Sequence, residues 1–241
     1  MKVVGIIPAR YASSRLPGKP LKDICGKPMI QRVYEQVKLS DTLDGVIVAT
    51  DDKRIYDIVK GFGGEVVMTS AEHKTGTDRL AEVAKELSAE IIVNIQGDEP
   101  LINPEMIDQA VRPLLEDANI RMGTLKHKIN YQAEIENPNV VKVVTDNDDF
   151  ALYFSRSIIP YHRTDADTTY YKHIGLYVYR REFLLDYAQM EPTPLELKES
   201  LEQLRALENG YKIKVIETEY QAIGVDTQDD LERVRKIVES V

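Results

Sequence analysis

Short runs of β-branched and apolar residues alternate along this chain with segments whose apolar residues recur at helical spacing. No single motif constrains the fold as strongly, because strands separated by crossover helices are the pattern of a mainly parallel α/β sheet. Strands are expected at 3–7, at GVIVAT (45–50), at EVVM (65–68) and at IIVNIQ (91–96). Between them, helical spacing joins Met29, Ile30, Val33, Tyr34 and Val37 behind Pro28. It next joins Ile55, Ile58, Val59 and Phe62, which run up to a stop at Gly63-Gly64, and then Leu80, Val83, Ala84 and Leu87. After Pro104 a further helix uses Ile107, Ala110, Val111 and Leu114. Over 122–179 the pattern shifts to strands: GTLKH, VVKVV, ALYFS and YKHIGLYVY. A long helix over about 195–209, a strand at 213–217 and an amphipathic helix carrying Leu231, Val234, Ile237 and Val238 complete the chain. No repeat, low-complexity tract or linker interrupts it, so a single domain over 1–241 is expected, with the second half elaborating the same sheet.

Residues 7–21, IPARYASSRLPGKPL, follow the first strand, where open α/β sheets bind ligands. This is neither familiar phosphate loop. Gly26-Lys27 is followed by Pro28, without the hydroxyl of a Walker motif, and Gly61, Gly63 and Gly64 follow a helix rather than a strand. The segment offers backbone amides around 12–14, freedom of φ at Gly18, and the cations Arg10, Arg15 and Lys19. Those are the parts of a polyphosphate cradle, although a solvated basic loop would carry the same residues. Composition makes the distinction matter. With 40 Asp+Glu against 31 Lys+Arg the net charge is −9, which disfavours nucleic acid or an anionic membrane as partner, so an anionic ligand must find a local basic pocket. The single Cys25 excludes an internal disulfide framework, and neither a signal pattern nor an apolar run of about 18–20 residues is present. A cytoplasmic protein is expected.

PARYASSRLPGKPL, ATDD (49–52), TGTDR (75–79), NIQGDEP (94–100), ALYFSRS (151–157), HIGLY (173–177), LEQLRAL (201–207) and GVDT (224–227) carry a resemblance. They make the chain similar, nearly end to end, to the 3-deoxy-manno-octulosonate cytidylyltransferases, or CMP-Kdo synthetases, which activate the acidic eight-carbon sugar Kdo with CTP. The resemblance implies a three-layer α/β/α sandwich of the nucleotide-sugar transferase type, magnesium dependence, a homodimer, and a place in lipopolysaccharide precursor synthesis. Residues 1–120 would be mainly the nucleotide-binding half. Residues 121–241 would add sugar binding, dimerisation and the C-terminal helix.

The chemistry so implied is an in-line displacement at the α-phosphorus of CTP, in which positioning and charge neutralisation supply most of the catalysis. By resemblance Arg10 and Lys19 bind triphosphate oxygens, with Arg15 a further cation. Magnesium takes one or two carboxylates plus phosphate oxygens and water, and the family pattern gives that role to Asp98 and Asp226. Asp98 alone could equally be a turn or cap residue. Thr75, Gly76 and Arg79, with Pro8 and Ala9, are carried over as the cytosine site, while Thr77 could simply cap the helix that follows. In YYKHIGLYVY, period-two alternation puts Tyr171, His173, Gly175, Tyr177 and Tyr179 on one face. A sugar acid calls for Arg or His cations and for amide or carboxylate partners. By resemblance these are Arg156, His173, Tyr177, Glu202 and Gln203, with Gln96 near both substrates.

Cys25 reads as a small packing residue, and His73, His127, His162 and His173 lack zinc-ligand spacing. Asp146-Asn147-Asp148 matches the D-x-D pattern of metal-dependent glycosyltransferases but falls where a β-turn would need such residues. Such a glycosyltransferase, or a non-catalytic nucleotide-binding regulator, is the rival from another class. Within the same chemistry, 8-amino-3,8-dideoxy-manno-octulosonate is the rival sugar.

Overall fold

The computed structural model describes residues 2–12, 15–73, 75–164 and 168–240. Contacts divide the chain into two compact units, Met1–Asp108 with Ala222–Val241, and Gln109–Gln221.

In the first unit, β1 (Val3–Ala9) is buried along nearly its whole length, as a strand covered on both faces must be. The basic segment follows, with one turn of 3-10 helix at Lys19–Leu21 and a hairpin of β2 (Asp23–Ile24) and β3 (Lys27–Pro28). Cys25 (φ 50°) and Gly26 (φ 82°) form the hairpin turn, which requires left-handed residues. Cys25 is therefore exposed, not the packing residue expected. Helix α1 (Met29–Val37) buries the five residues its spacing predicts. β4 (Gly45–Thr50) leads into α2 (Lys53–Gly61), capped by the Asp52 side chain. On α2, Ile55 and Val59 are buried while Ile58 is 40% exposed, so the apolar stripe is narrower than expected. β5 (Glu65–Met68) precedes α3 (Gly76–Lys85), which opens on a capping box of Thr75 and Asp78. The cap is thus Thr75; Thr77 is already helical and 3% exposed. β6 (Ile91–Asn94) ends two residues before the expected strand does. The parallel register pairs put β1 between β6 and β4, with β5 beyond β4. Helix α4 (Pro104–Glu116) follows, with the division between the units falling after its Asp108, and its apolar face is fully buried at Ile107, Ala110, Val111 and Leu114.

The second unit is a mixed sheet. β7 (Met122–Lys128) precedes a short α5 (Gln132–Glu136), the hairpin of β8 (Lys142–Thr145) and β9 (Ala151–Ser155), and the long β10 (Tyr171–Arg180). β10 runs antiparallel to β7 with a register shift between Ile174 and Tyr177. α6 (Arg181–Tyr187) follows. The expected helix over 195–209 is two pieces, α7 (Pro194–Glu199) and α8 (Leu204–Glu208). The break is Ser200, left-handed at φ 52°, and the buried Arg205–Glu196 pair, at 2.5 Å, joins the two pieces. Helical period alone cannot reveal one left-handed residue. β11 (Ile213–Glu217) pairs parallel with β7. The chain ends in α9 (Gln228–Glu239), part of the first unit and capped by Thr227 with Asp230.

Candidate active site

In the first unit the chain proceeds from β1 to β4 and β5 on one side of the sheet, and β6 pairs with the other side of β1. The carboxyl ends of β1 and β6 therefore part at a topological switch point, where such sheets hold ligands. A cleft of about 430 Å³ opens there. It is lined by Pro8, Ala9, Arg10, Ala12, Arg15, Lys19, Pro20, Gly76, Gln96, Gly97, Asp98 and Asp226.

Local sequence explains how these groups are brought together. The basic segment closes through Gly18 N–H donating to Tyr11 O (3.1 Å) and Lys19 N–H to Leu16 O (3.1 Å). Gly18 sits at φ 68°, and any Cβ there would lie 3.1 Å from the Tyr11 ring, so only glycine suits the position. Arg54, paired with Asp52, lies over that ring, 3.3 Å from its centroid. Leu16, Ile24 and Met29 pack with Val225, Leu231 and Val234 in one buried cluster, which ties the segment to the C-terminal helix. Val225 N–H donates to Asp98 O at 2.9 Å, which sets the two aspartates side by side. Gly97 brings Asp98 past β1: a Cβ there would stand 2.9 Å from Pro8 O.

Lys19 Nζ donates to Asp98 Oδ2 at 2.7 Å and to Asp226 Oδ1 at 3.1 Å, and Arg15 reaches Asp226 at 3.1 Å. Burial disfavours the Lys19 charge, but Asp98 and Asp226 outweigh it and raise its pKa. The neighbouring Glu99 is buried, and burial together with the Asp98 charge pushes its carboxyl up to about 8. Two carboxylates converging on one cation, in an open oxygen-lined cleft, form a donor set that suits a hard divalent ion completing its shell with phosphate and water. Among the described residues no cluster of three or more His, Cys, Asp or Glu could hold a metal by protein ligands alone.

Other expected residues divide. Ser13 and Ser14 lie outside the described residues. Arg10 donates to His73 O at 2.9 Å. Gly76 lines the cleft, whereas Thr75 and Arg79 do not. Arg79 is fully buried, pairs with Asp51 at 2.8 Å and hydrogen-bonds Thr69, so it braces the start of α3 from inside.

Of the expected sugar residues, Arg156, His173, Tyr177, Glu202 and Gln203 lie in the second unit, and Gln96 lines the cleft of the first. The His173 and Tyr177 rings lie 5.3 Å apart, tilted, in an aromatic row that continues to Tyr179, so these three share a face across a register shift. Packing pushes His173 down to about 3, which makes it a neutral imidazole rather than the cation expected. Burial and the Glu202 charge push Tyr177 up, so its hydroxyl stays protonated. Arg156 donates to the carbonyls of Glu199 (2.7 Å), Pro138 (3.1 Å) and Ser200 (3.3 Å), and the Glu199 carboxylate accepts from Ser155 Oγ at 2.6 Å. Gln203 is 3% exposed and its Nε2 has no partner among the described residues, a buried donor of the kind that ligands satisfy. Glu202 O accepts from Tyr187 Oη at 2.6 Å.

Asp146 behaves as the turn residue the D-x-D segment allowed for: its Oδ1 accepts from the amides of Asp148 (3.0 Å) and Phe150 (2.8 Å). His73 pairs with Glu82 and His127 with Thr218 O. Ala12, whose amide the sequence offered to an anion, lines the cleft, while sequence reasoning missed Gly97 and Pro20 there and Thr124 beside His173. Only Gly97, inside QGDEP, carried a visible signal.

The family model for cytidylyltransferases matches residues 4–213. A 3-deoxy-manno-octulosonate cytidylyltransferase of Geobacter metallireducens is 58% identical over 245 residues, covering 97% of this chain and 96% of its own. A solved CMP:2-keto-3-deoxy-manno-octonic acid synthetase, complexed with CTP, superposes with TM-score 0.96 at 46% identity, covering 100% of this chain and 99% of its own. A 4-diphosphocytidyl-2C-methyl-D-erythritol synthase from Anaerococcus prevotii shares the fold, with TM-score 0.65 at 16% identity. The expected fold, a mostly parallel mixed sheet flanked by helices, is borne out.

Proposed function

The chain belongs to the cytidylyltransferase family, and from that premise we propose that it transfers CMP from CTP to the anomeric hydroxyl of Kdo, releasing pyrophosphate. The observation that carries the reading is the convergence of Lys19, Asp98 and Asp226 in the cleft between β1 and β6. Arg10, Arg15 and Lys19 neutralise the triphosphate. Asp98 and Asp226 would hold magnesium, which when bound supplies charge neutralisation at the phosphate oxygens. The sugar oxygen forms a bond to the α-phosphorus as the bond to pyrophosphate breaks, and the hydroxyl proton is released. No covalent enzyme intermediate is needed. Pro8, Ala9 and Gly76 face the base, supported by Thr75, which caps α3, and by the buried Arg79. His173, Tyr177, Glu202, Gln203 and Arg156 recognise the sugar, and Gln96 lies near both substrates.

Residues 121–241 carry the sugar and dimer roles in this reading. A homodimer through that half is supported by Leu152, Leu195 and Leu197, which are 62%, 41% and 67% exposed. No helix among the described residues is long and apolar enough to cross a membrane. A reaction that draws on CTP places the enzyme in the cytoplasm, with its product feeding lipopolysaccharide synthesis. The test is pyrophosphate release from CTP, Kdo and magnesium, with each component omitted in turn and the 8-amino sugar run alongside. Release that ignores the sugar would refute the reading, and a strong preference for the amino sugar would change only the acceptor.

A further inference from the structure

Thr124, on β7, is fully buried and lies under the register shift of β10. Its Oγ1 stands 2.8 Å from Leu176 O, 3.1 Å from Ile174 O and 3.0 Å from His173 Nε2. A hydroxyl has one proton. If that proton went to the imidazole, two carbonyl oxygens would face proton-free lone pairs at hydrogen-bond distance, in a buried site where such contacts cost most. If it goes to the carbonyls, Oγ1 is free to accept, and Nε2 must carry the proton. With the proton shared between Leu176 O and Ile174 O, only the second arrangement leaves no lone pair facing another. The ring is neutral, as the burial of His173 requires, so Nδ1 keeps its lone pair. Nδ1 has no hydrogen bond among the described residues, and His173, though closely packed, is partly exposed. Phe154, edge-on at 5.1 Å, and Tyr177 hold the ring plane.

We propose that Thr124 is a positioning residue for sugar recognition: it accepts the Nε2–H of His173, fixes that tautomer, and leaves Nδ1 to accept a hydrogen bond from a sugar hydroxyl. The proposal rests on the reading of His173 as a sugar contact. It assigns His173 to a hydroxyl and excludes it from the sugar carboxylate, because a lone pair repels an anion.

The test is the ¹⁵N signature of the His173 imidazole in the ligand-free full chain at neutral pH, assigned by loss of the signal in His173→Gln. The expected wild-type pattern is a protonated Nε2 and a lone-pair Nδ1. Thr124→Val should lose that tautomer bias and raise the KM for Kdo roughly tenfold, the scale of one lost hydrogen bond, with the KM for CTP unchanged. Thr124→Ser should restore both. A wild-type ring protonated at Nδ1, or at both nitrogens, overturns the proposal. So does a Thr124→Val protein that keeps the wild-type KM for Kdo. The tautomer is read without substrate, so a protein that makes no CMP-Kdo would refute the functional reading and leave the ring assignment standing or falling by itself.

Discussion

Gly97→Ala isolates the link between backbone packing and chemistry. The glycine does not occupy the left-handed region, so alanine meets no conformational penalty there, and the whole effect is contact. The added Cβ would lie 2.9 Å from Pro8 O, against ordinary contacts of 3.4–4 Å, so one backbone must yield by at least about half an ångström. Pro8 is held within β1 by its pairing with Ala49 of β4, which leaves the 97–98 segment to move, and Asp98 with it. A displacement of about 1 Å at a reacting centre costs roughly 100-fold, so about half that shift should cost on the order of tenfold in kcat. Because Asp98 is a proposed magnesium ligand, the magnesium concentration for half-maximal rate should rise too. Steady-state rates across a magnesium titration, with thermal unfolding as a control for overpacking of roughly 1–3 kcal/mol, give the answer. Wild-type kcat with an unshifted magnesium response would refute the claim that Gly97 sets the position of Asp98.

Asp98→Asn and Asp226→Asn should each abolish most turnover while leaving the thermal midpoint close to wild type; wild-type turnover in either would remove it from the metal site. Chelation of divalent ions should stop transfer, and added magnesium should restore it. Asp108 accepts from Ser40 Oγ (2.6 Å), Thr42 N–H (2.9 Å) and Thr42 Oγ1 (2.7 Å). Burial pushes its carboxyl up, but those bonds outweigh burial and hold it below its usual value. Its stabilisation is therefore present above the unfolded value of about 3.9 and is lost as pH falls below that, through the folded value. Asp108→Ala should cost about 1–3 kcal/mol for the orphaned donors and flatten the acid limb of a pH–stability profile.

Most of the fold was legible because period and burial coincide. All five apolar residues expected on α1 are buried, and β1 reads as apolar because it is covered on both faces. Breaks were not legible. Ser200 divides a periodic stretch by one left-handed residue, and the Cys25-Gly26 turn looks in sequence like more loop. Of the candidate site, the cations showed in sequence as a basic segment after a strand, whereas Asp98 and Asp226 were singled out by the family resemblance, since Asp226 stands just before α9 and not at the end of a strand. Arg79 could not: a buried brace for Asp51 and an exposed ligand look alike in sequence. His173 looked cationic because nothing in the sequence reports how tightly Phe154 and Tyr177 enclose it. Thr124 left no signal at all, since its role depends on a register shift in a strand some fifty residues away.

The central claim is that the Lys19, Asp98 and Asp226 cluster transfers a cytidylyl group to a sugar acid. Phosphorus NMR of the purified protein with CTP, Kdo and magnesium follows every phosphorus atom at once. The account predicts that the CTP signals give way, one to one, to the phosphodiester of CMP-Kdo and to pyrophosphate, and that Lys19→Met, mixed with the same components, leaves CTP nearly unchanged. Appearance of CDP and inorganic phosphate, or of free CMP without the sugar conjugate, would contradict it.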